Sequence, residues 1–305
     1  MKHLFIVNPA AGGKDRTEDI RALAKKTFQN RDDGYEIYTT SAPGDATKEV
    51  LRLAETDEQY HVYSCGGDGT FNECVSGAVG HENIAVCPFP FGTGNDFCRM
   101  FGEEQALFTD MEAVIDGTEH AIDVIDCNGR YSVNLCSVGI DARIGTNVHK
   151  YSSIPLIGGA TGYVISAIVE IFKGISTHMV IRSDALEADG KYSLVCACNG
   201  RYYGGGFNPS PDAMPDDGIL DIYIVNDVNL PRLASLIGKY AKGRADELPK
   251  YITHIRSDRV SIEFDEENVV NLDGEAVFTK KADMRLIPKA VKMVVPKGMR
   301  FFEKA

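Results

Sequence analysis

The sequence predicts two domains, an α/β domain with a parallel sheet over residues 1–122 and a mostly antiparallel all-β domain over residues 123–289. Three observations carry this prediction. Apolar runs alternate with helical-period segments through the first 120 residues, which is the pattern of βαβ units. A glycine-containing loop follows each of the four strand-like runs there. After Asp123 the texture changes to strand-like runs joined by turn dipeptides.

The first domain reads element by element. Leu4-Phe5-Ile6-Val7 is a continuous apolar run, as expected of a strand covered on both faces. Ile20, Leu23, Ala24, Thr27 and Phe28 recur at helical spacing, and Asp15 with Glu18 marks a helix start. Tyr35 to Thr40 is the second strand, and Ala46, Val50, Leu51 and Ala54 mark the second helix. Tyr60 to Cys65 and Ile84 to Cys87 are the third and fourth strands, with a short helix over Phe71 to Val79 between them.

In the second domain, Asn128-Gly129 and Asp189-Gly190 are hairpin signals. Strands are expected at Tyr131–Leu135, Met179–Arg182, Ser193–Ala197, Leu220–Val225, Val260–Phe264 and Val269–Leu272, with helices near 159–173 and 230–242. Ile154 to Phe172 holds Pro155, Gly158, Gly159, Gly162 and Glu170, so a buried helix is expected there rather than a membrane span.

Of 305 residues, 44% are apolar and 25% charged, ordinary values for a globular protein. The net charge of −12 argues against a nucleic-acid partner or a general anionic-membrane binder. From Lys280 onward, however, eight Lys/Arg face only Asp283 and Glu303. That run is either a solvated surface or a patch for acidic headgroups or ATP. The eight cysteines form no C-x-x-C pair and no zinc-ligand spacing, and several sit in apolar runs as small hydrophobes. With Met1-Lys2-His3 leading straight into a strand, no signal peptide is expected and a reducing cytoplasm fits best.

Gly66-Gly67-Asp68-Gly69-Thr70-Phe71-Asn72-Glu73 lies between a strand and a helix. Glycine loops in that position expose backbone N–H groups and attract phosphate. Asp68 in the middle would repel phosphate unless a divalent cation lies between them. The motif therefore suggests a nucleotide with Mg²⁺ and phosphoryl transfer. Asn8-Pro9-Ala10-Ala11-Gly12-Gly13, Thr40-Ser41-Ala42-Pro43-Gly44-Asp45 and Pro90-Phe91-Gly92-Thr93-Gly94-Asn95-Asp96 follow the other strands. Each alone could be a tight turn, but all four on one edge of a parallel sheet suit a triphosphate. Neither the Walker A pattern nor G-x-G-x-x-G occurs. In the second domain the acid-rich run Pro211 to Asp221 is either a loop or an oxygen-ligand cation site. Leu272-Asp273-Gly274-Glu275 is either a turn or a pair of acids suited to a general base.

Taken together, these motifs resemble the diacylglycerol kinase catalytic family, which includes sphingosine kinases and bacterial lipid kinases. The resemblance spans essentially the whole chain. Gly-Gly-Asp-Gly-Thr alone is also similar to NAD kinases and, more distantly, phosphofructokinases. The resemblance implies an α/β nucleotide domain joined by the tail 290–305, and an antiparallel β-sandwich as the second domain. It implies ATP and Mg²⁺ as cofactors. It places Asn8, Pro9, Gly12, Gly13, Thr40, Gly66, Gly67, Gly69, Thr70, Asn72, Glu73, Gly92, Thr93, Asn95 and Asp96 about the nucleotide. Asp68 would lie at the catalytic centre, Glu275 would act as general base with Asp273 supporting it, and a structural cation would sit on Asp217 and the carbonyls of Met214 and Ile219. Cys98, where the family often has alanine, is a core-compatible departure. The expected partner is a lipid substrate at the membrane surface, reached by peripheral contact, with diacylglycerol first among the acceptors. A homodimer stays open. The rivals are an NAD kinase or other soluble-substrate kinase, and a non-catalytic nucleotide- or lipid-binding regulator.

Overall fold

The structure, a computed structural model, describes residues 1–92, 94–140, 142–143 and 174–304. The expected helix at 159–173 and Thr93 lie outside the described residues. The chain forms two compact units, Met1–Val124 with Pro288–Ala305, and Ile125–Ile287.

In the first unit, β1 (Lys2–Val7), β2 (Gly34–Thr39), β3 (Tyr60–Gly66) and β4 (Ile84–Pro90) form a parallel sheet in the order β4-β3-β1-β2. Phe5, Ile6, Val62, Tyr63 and Val86 have no exposed surface, which is why these strands read as unbroken apolar runs. The helices are α1 (Thr17–Thr27), α2 (Asp45–Ala54), α3 (Asp68–Ala78), α4 (Asp96–Arg99) and α5 (Met111–Ile115). Helix α1 begins two residues after Asp15, whose Oδ1 accepts from the Thr17 N–H. Helix α3 begins at Asp68 itself, three residues before the apolar periodicity starts. Strand β5 (Thr118–Cys127) leads out of this unit.

The second unit is antiparallel. It contains the end of β5, β6 (Arg130–Ser132), β7 (Leu135–Gly139), β8 (Thr177–Arg182), β9 (Glu187–Cys198), β10 (Leu220–Asn226), β11 (Ile252–Ser257) and β12 (Arg259–Leu272), with the first part of β13 (Glu275–Val295). The end of β13 belongs to the first unit, where Lys292 and Met293 pair in parallel with Ala85 and Val86. Side chains alternate along β9 and β10. Val195, Ala197, Leu220, Ile222 and Ile224 enter the main core, while Leu194, Cys196, Cys198, Tyr223 and Val225 face helix α6 (Leu230–Tyr240) through Leu236 and Tyr240.

Three expectations need correction. Asp189-Gly190 is not a hairpin turn: it lies inside β9 opposite Val180 and Met179. The turn is at Ser183–Leu186, where the Ser183 hydroxyl oxygen accepts from the Ala185 and Leu186 N–H groups. The expected strand 131–135 is interrupted, because the Val133 and Asn134 N–H groups turn away to bond Asp273. The expected strands 260–264 and 269–272 are one strand, β12, whose register shifts between Glu263 and Asn268.

Among the described residues no helix is long and apolar enough to cross a membrane. All eight cysteines are buried free thiols.

Candidate active site

Three loops converge at the carboxyl ends of β1, β3 and β4. Asn8 follows β1: its Nδ2 donates to Thr70 Oγ1 at 3.0 Å and its Oδ1 accepts from the Ala10 N–H at 3.0 Å. Gly12, at φ +64°, lies against the turn after β4, so a Cβ there would stand 2.3 Å from the Phe91 carbonyl oxygen. Gly67 and Gly92 pack backbone to backbone, and a Cβ on Gly92 would meet the Gly67 Cα at 2.5 Å. The Phe91 and Gly92 N–H groups both donate to the Gly66 carbonyl, at 2.7 and 3.1 Å. Only glycine lets three chain segments approach this closely.

Asp68 stands at this junction. As the first residue of α3 it is placed where the helix dipole favours a negative group. Its Oδ1 accepts from the Phe97 N–H in α4 at 3.1 Å. Its Oδ2 faces Gly94, where a Cβ would stand 3.0 Å away. A hard-oxygen donor beside a glycine cradle fits a Mg²⁺ carried in by phosphates. Cys98 lies buried beneath; burial pushes its thiol well up, and the Asp68 carboxylate adds to the shift, so it stays protonated.

The remaining first-unit residues divide. Gly69 is exposed, and Thr70 is buried with its hydroxyl on Asn8. Asn72 is buried within α3, and Gly13, at φ +73°, has open space where a Cβ would stand. Pro9 is half-buried beside Asn8. Thr40 follows β2 and donates its N–H to the Val7 carbonyl at 2.9 Å. Asn95 adopts a left-handed backbone (φ +50°) and donates Nδ2 to the Gly92 carbonyl at 2.8 Å, so it shapes the loop. Asp96 is buried and pairs with Arg99 at 3.2 Å.

Glu73 has partners outside the loops. Its carboxylate accepts from the Gly44 and Ala46 N–H groups at 2.9 and 3.2 Å, at the N-terminus of α2. It is a cap supplied from another helix. Sequence reasoning also passed over Arg16, whose guanidinium lies over the Phe91 ring at 5.6 Å while pairing with Asp19 at 3.4 Å. Its signal was a basic residue just after Gly12-Gly13.

In the second unit Asp273 and Gly274, both at positive φ, form the two-residue turn between β12 and β13, with Leu272 paired to Glu275. Asp273 Oδ2 accepts from the Val133 and Asn134 N–H groups at 2.7 and 3.0 Å, and Oδ1 from the Leu135 N–H at 2.9 Å. Burial raises its pKa to about 6, against the opposing pull of these backbone donors. Asp273 is therefore an anchor that sets the turn, and Glu275 beside it is exposed.

At the cation site expected on Met214, Asp217 and Ile219, the Asp217 carboxylate already has two partners. Asp217 Oδ1 accepts from the Ile219 N–H at 3.0 Å, and Oδ2 pairs with Arg256 at 2.9 Å, so a guanidinium supplies the positive charge there. Among the described residues no cluster of three or more His, Cys, Asp or Glu could hold a metal. The basic run from Lys280 is partly compensated. Lys281 pairs with Asp283, Arg285 with Asp126, Lys292 with Glu82 and Glu119, and Lys297 with Asp116. Four of its eight cations are paired in this way.

A parallel α/β unit with converging glycine loops, followed by an antiparallel unit, defines a class of two-domain proteins. Within that class, residues 2–127 match the diacylglycerol kinase catalytic domain and residues 134–295 match the YegS C-terminal NAD kinase beta sandwich-like domain. The chain belongs to the diacylglycerol kinase catalytic family. It is 26% identical over 234 residues to a candidate lipid kinase of Staphylococcus epidermidis, covering 76% of each chain. With one from Staphylococcus aureus it shares 26% identity over 262 residues, 85% of each. A solved structure of a candidate diacylglycerol kinase from Bacillus anthracis str. Sterne superposes with a TM-score of 0.74 at 29% identity over 96% of each chain. A second diacylglycerol kinase structure from that organism gives 0.69 at 25% identity over 98% of each.

Proposed function

We propose that this protein is an ATP-dependent lipid kinase that transfers the γ-phosphoryl group to a lipid hydroxyl, with diacylglycerol as acceptor and phosphatidic acid as product. The observation that carries the reading is Asp68, held by the Phe97 N–H at the point where three glycine loops meet. Family membership and the curated lipid kinases support the substrate class. Phosphoryl transfer asks the protein mainly for positioning and charge stabilisation. The backbone of the Gly12, Gly67 and Gly92 loops receives the phosphates. Mg²⁺, held by Asp68 and the phosphates, would neutralise charge that develops as the bond to the leaving ADP breaks. Glu275 takes the hydroxyl proton as the new lipid O–P bond forms, and Asp273 fixes the turn that carries it.

The test is transfer of radiolabelled phosphate from ATP into a total lipid extract in detergent micelles, followed by identification of the product. Label in phosphatidic acid is expected. With NAD supplied in a parallel reaction, label entering NAD and none entering any lipid overturns the reading.

A further inference from the structure

Helix α6 is apolar on two faces. Leu233, Leu236 and Tyr240 turn inward onto Tyr223, Val225 and Ile252. On the opposite side Leu230, Ala234 and Ile237, spaced i, i+4, i+7, form an outward stripe, with Leu230 and Ile237 43% and 45% exposed. A surface helix normally presents charge on that side. Here the helix holds no acid, and only Arg232 and Lys239 are charged. From Leu230 to Lys250 the chain carries five Lys/Arg (232, 239, 242, 244 and 250) against Asp246 and Glu247, in a protein of net charge −12.

Glu247 pairs with Lys239 and Arg244. Arg232 and Lys250 instead flank the Tyr251 ring, at 4.9 and 5.9 Å. These three line a basin of about 620 Å³ at the start of the helix, with Asn229 and Ser235. The one acid in its wall, Asp227, accepts from the Ser176 hydroxyl.

An apolar stripe flanked by cations, with a tyrosine between two of them, is complementary to the acyl–headgroup boundary of an anionic bilayer. A second copy of the chain fits less well. The stripe is one helix wide, far short of the ~1,000 Å² a stable interface buries. We propose that the outward face of α6, with Arg232 and Lys250 at its start, docks on the surface of an anionic lipid bilayer. The inference rests on the lipid-kinase reading for its purpose, but its test does not require catalysis.

The experiment is co-sedimentation of the full chain with phosphatidylcholine vesicles, with and without phosphatidylglycerol. The protein is expected to bind the mixed vesicles and not the pure ones. Leu230→Ser/Ile237→Ser should weaken that partition about tenfold or more, since each change removes most of an inserted apolar side chain. Arg232→Gln/Lys250→Gln, which leaves the stripe intact, should weaken it about 30-fold at about 1 kcal/mol per cation. Leu51→Ser, at the exposed leucine of α2, should bind as the unaltered protein does. Failure of the unaltered protein to bind mixed vesicles overturns the proposal. So does unaltered binding by either double variant, or loss of a dimer in the serine variant with vesicle binding unchanged. Phosphorylation in detergent micelles separates the two readings. It should survive in every variant if only docking is impaired, whereas its absence in the unaltered protein strikes at the kinase reading alone.

Discussion

Asp68 Oδ1 accepts the Phe97 backbone N–H at 3.1 Å, which ties the first residue of α3 to α4 across 29 positions of sequence. The bond uses one carboxylate oxygen and leaves the other toward Gly94. An asparagine can keep the first contact but cannot keep the charge. Asp68→Asn should therefore melt close to the unaltered protein while its lipid phosphorylation falls at least about 10²-fold, the scale of a lost electrostatic contact to the transferring group. Normal turnover in a folded Asp68→Asn protein would remove the residue from the chemistry.

Gly12 and Gly13 separate strain from steric closeness. Both have positive φ, which costs an alanine about 1–2 kcal/mol. Only at Gly12 does a Cβ also meet a backbone oxygen, at 2.3 Å. Gly12→Ala should lose a further ~1–3 kcal/mol from overpacking and weaken ATP binding, since Phe91 must retreat. Urea denaturation of the two variants gives the comparison, and equal losses would show that the loops do not meet as described.

Glu73→Ala should act on stability rather than on nucleotide binding. Removing the cap from Gly44 and Ala46 costs about 1–2 kcal/mol. ATP affinity measured by calorimetry at a temperature where the variant is folded should be unchanged. A large loss of affinity in the folded variant would return Glu73 to the nucleotide site.

How much of this was legible follows from where the information lies. The β1 to β4 runs and their glycine loops are local patterns, so the sequence exposes them directly. The partners of the acids are not local. Glu73 resembles a motif residue by position, but its role is set by Gly44 on another helix. Asp273 reads as a turn acid or a catalytic one until Val133, Asn134 and Leu135 are seen around it, some 140 positions away. Strand β11 and most of β13 went unread because alternating charged residues, as in Lys280 to Arg285, look like a polar run while their partners Ala282 and Met284 fill the core. Asp189-Gly190 misled because a dipeptide signal yields to the pairing of β8 with β9.

Asp273 makes a pH prediction with a definite sign. Its pKa in the folded chain, about 6, stands above the ordinary 3.8, so between these values the folded state holds a proton that the unfolded state has released. The stability this residue contributes is full below the lower value and is lost as pH rises through about 6, by up to ~3 kcal/mol at 1.36 per unit. Asp273→Asn cannot titrate, so the stability gap between the two proteins should narrow from pH 4.5 to pH 7.5. A gap that widens instead would mean that the three backbone donors outweigh burial.

Glu275 and Asp273 are neighbours on one turn with different tasks, and kinetics can tell them apart. Glu275→Gln keeps shape and removes the proposed proton acceptor. It should lower kcat about 10²–10⁴-fold with ATP affinity and melting temperature unchanged. Asp273→Asn should lower kcat less, because it disturbs the direction of Glu275 rather than removing it, and should also lower the melting temperature, because its amide NH2 cannot accept the backbone N–H bonds made by the oxygen it replaces, either those of Val133 and Asn134 or that of Leu135. If Glu275→Gln retains full turnover, the proton acceptor lies elsewhere. If Asp273→Asn proves the more damaging for kcat while melting normally, then Asp273 acts in the chemistry and the anchoring role assigned to it fails.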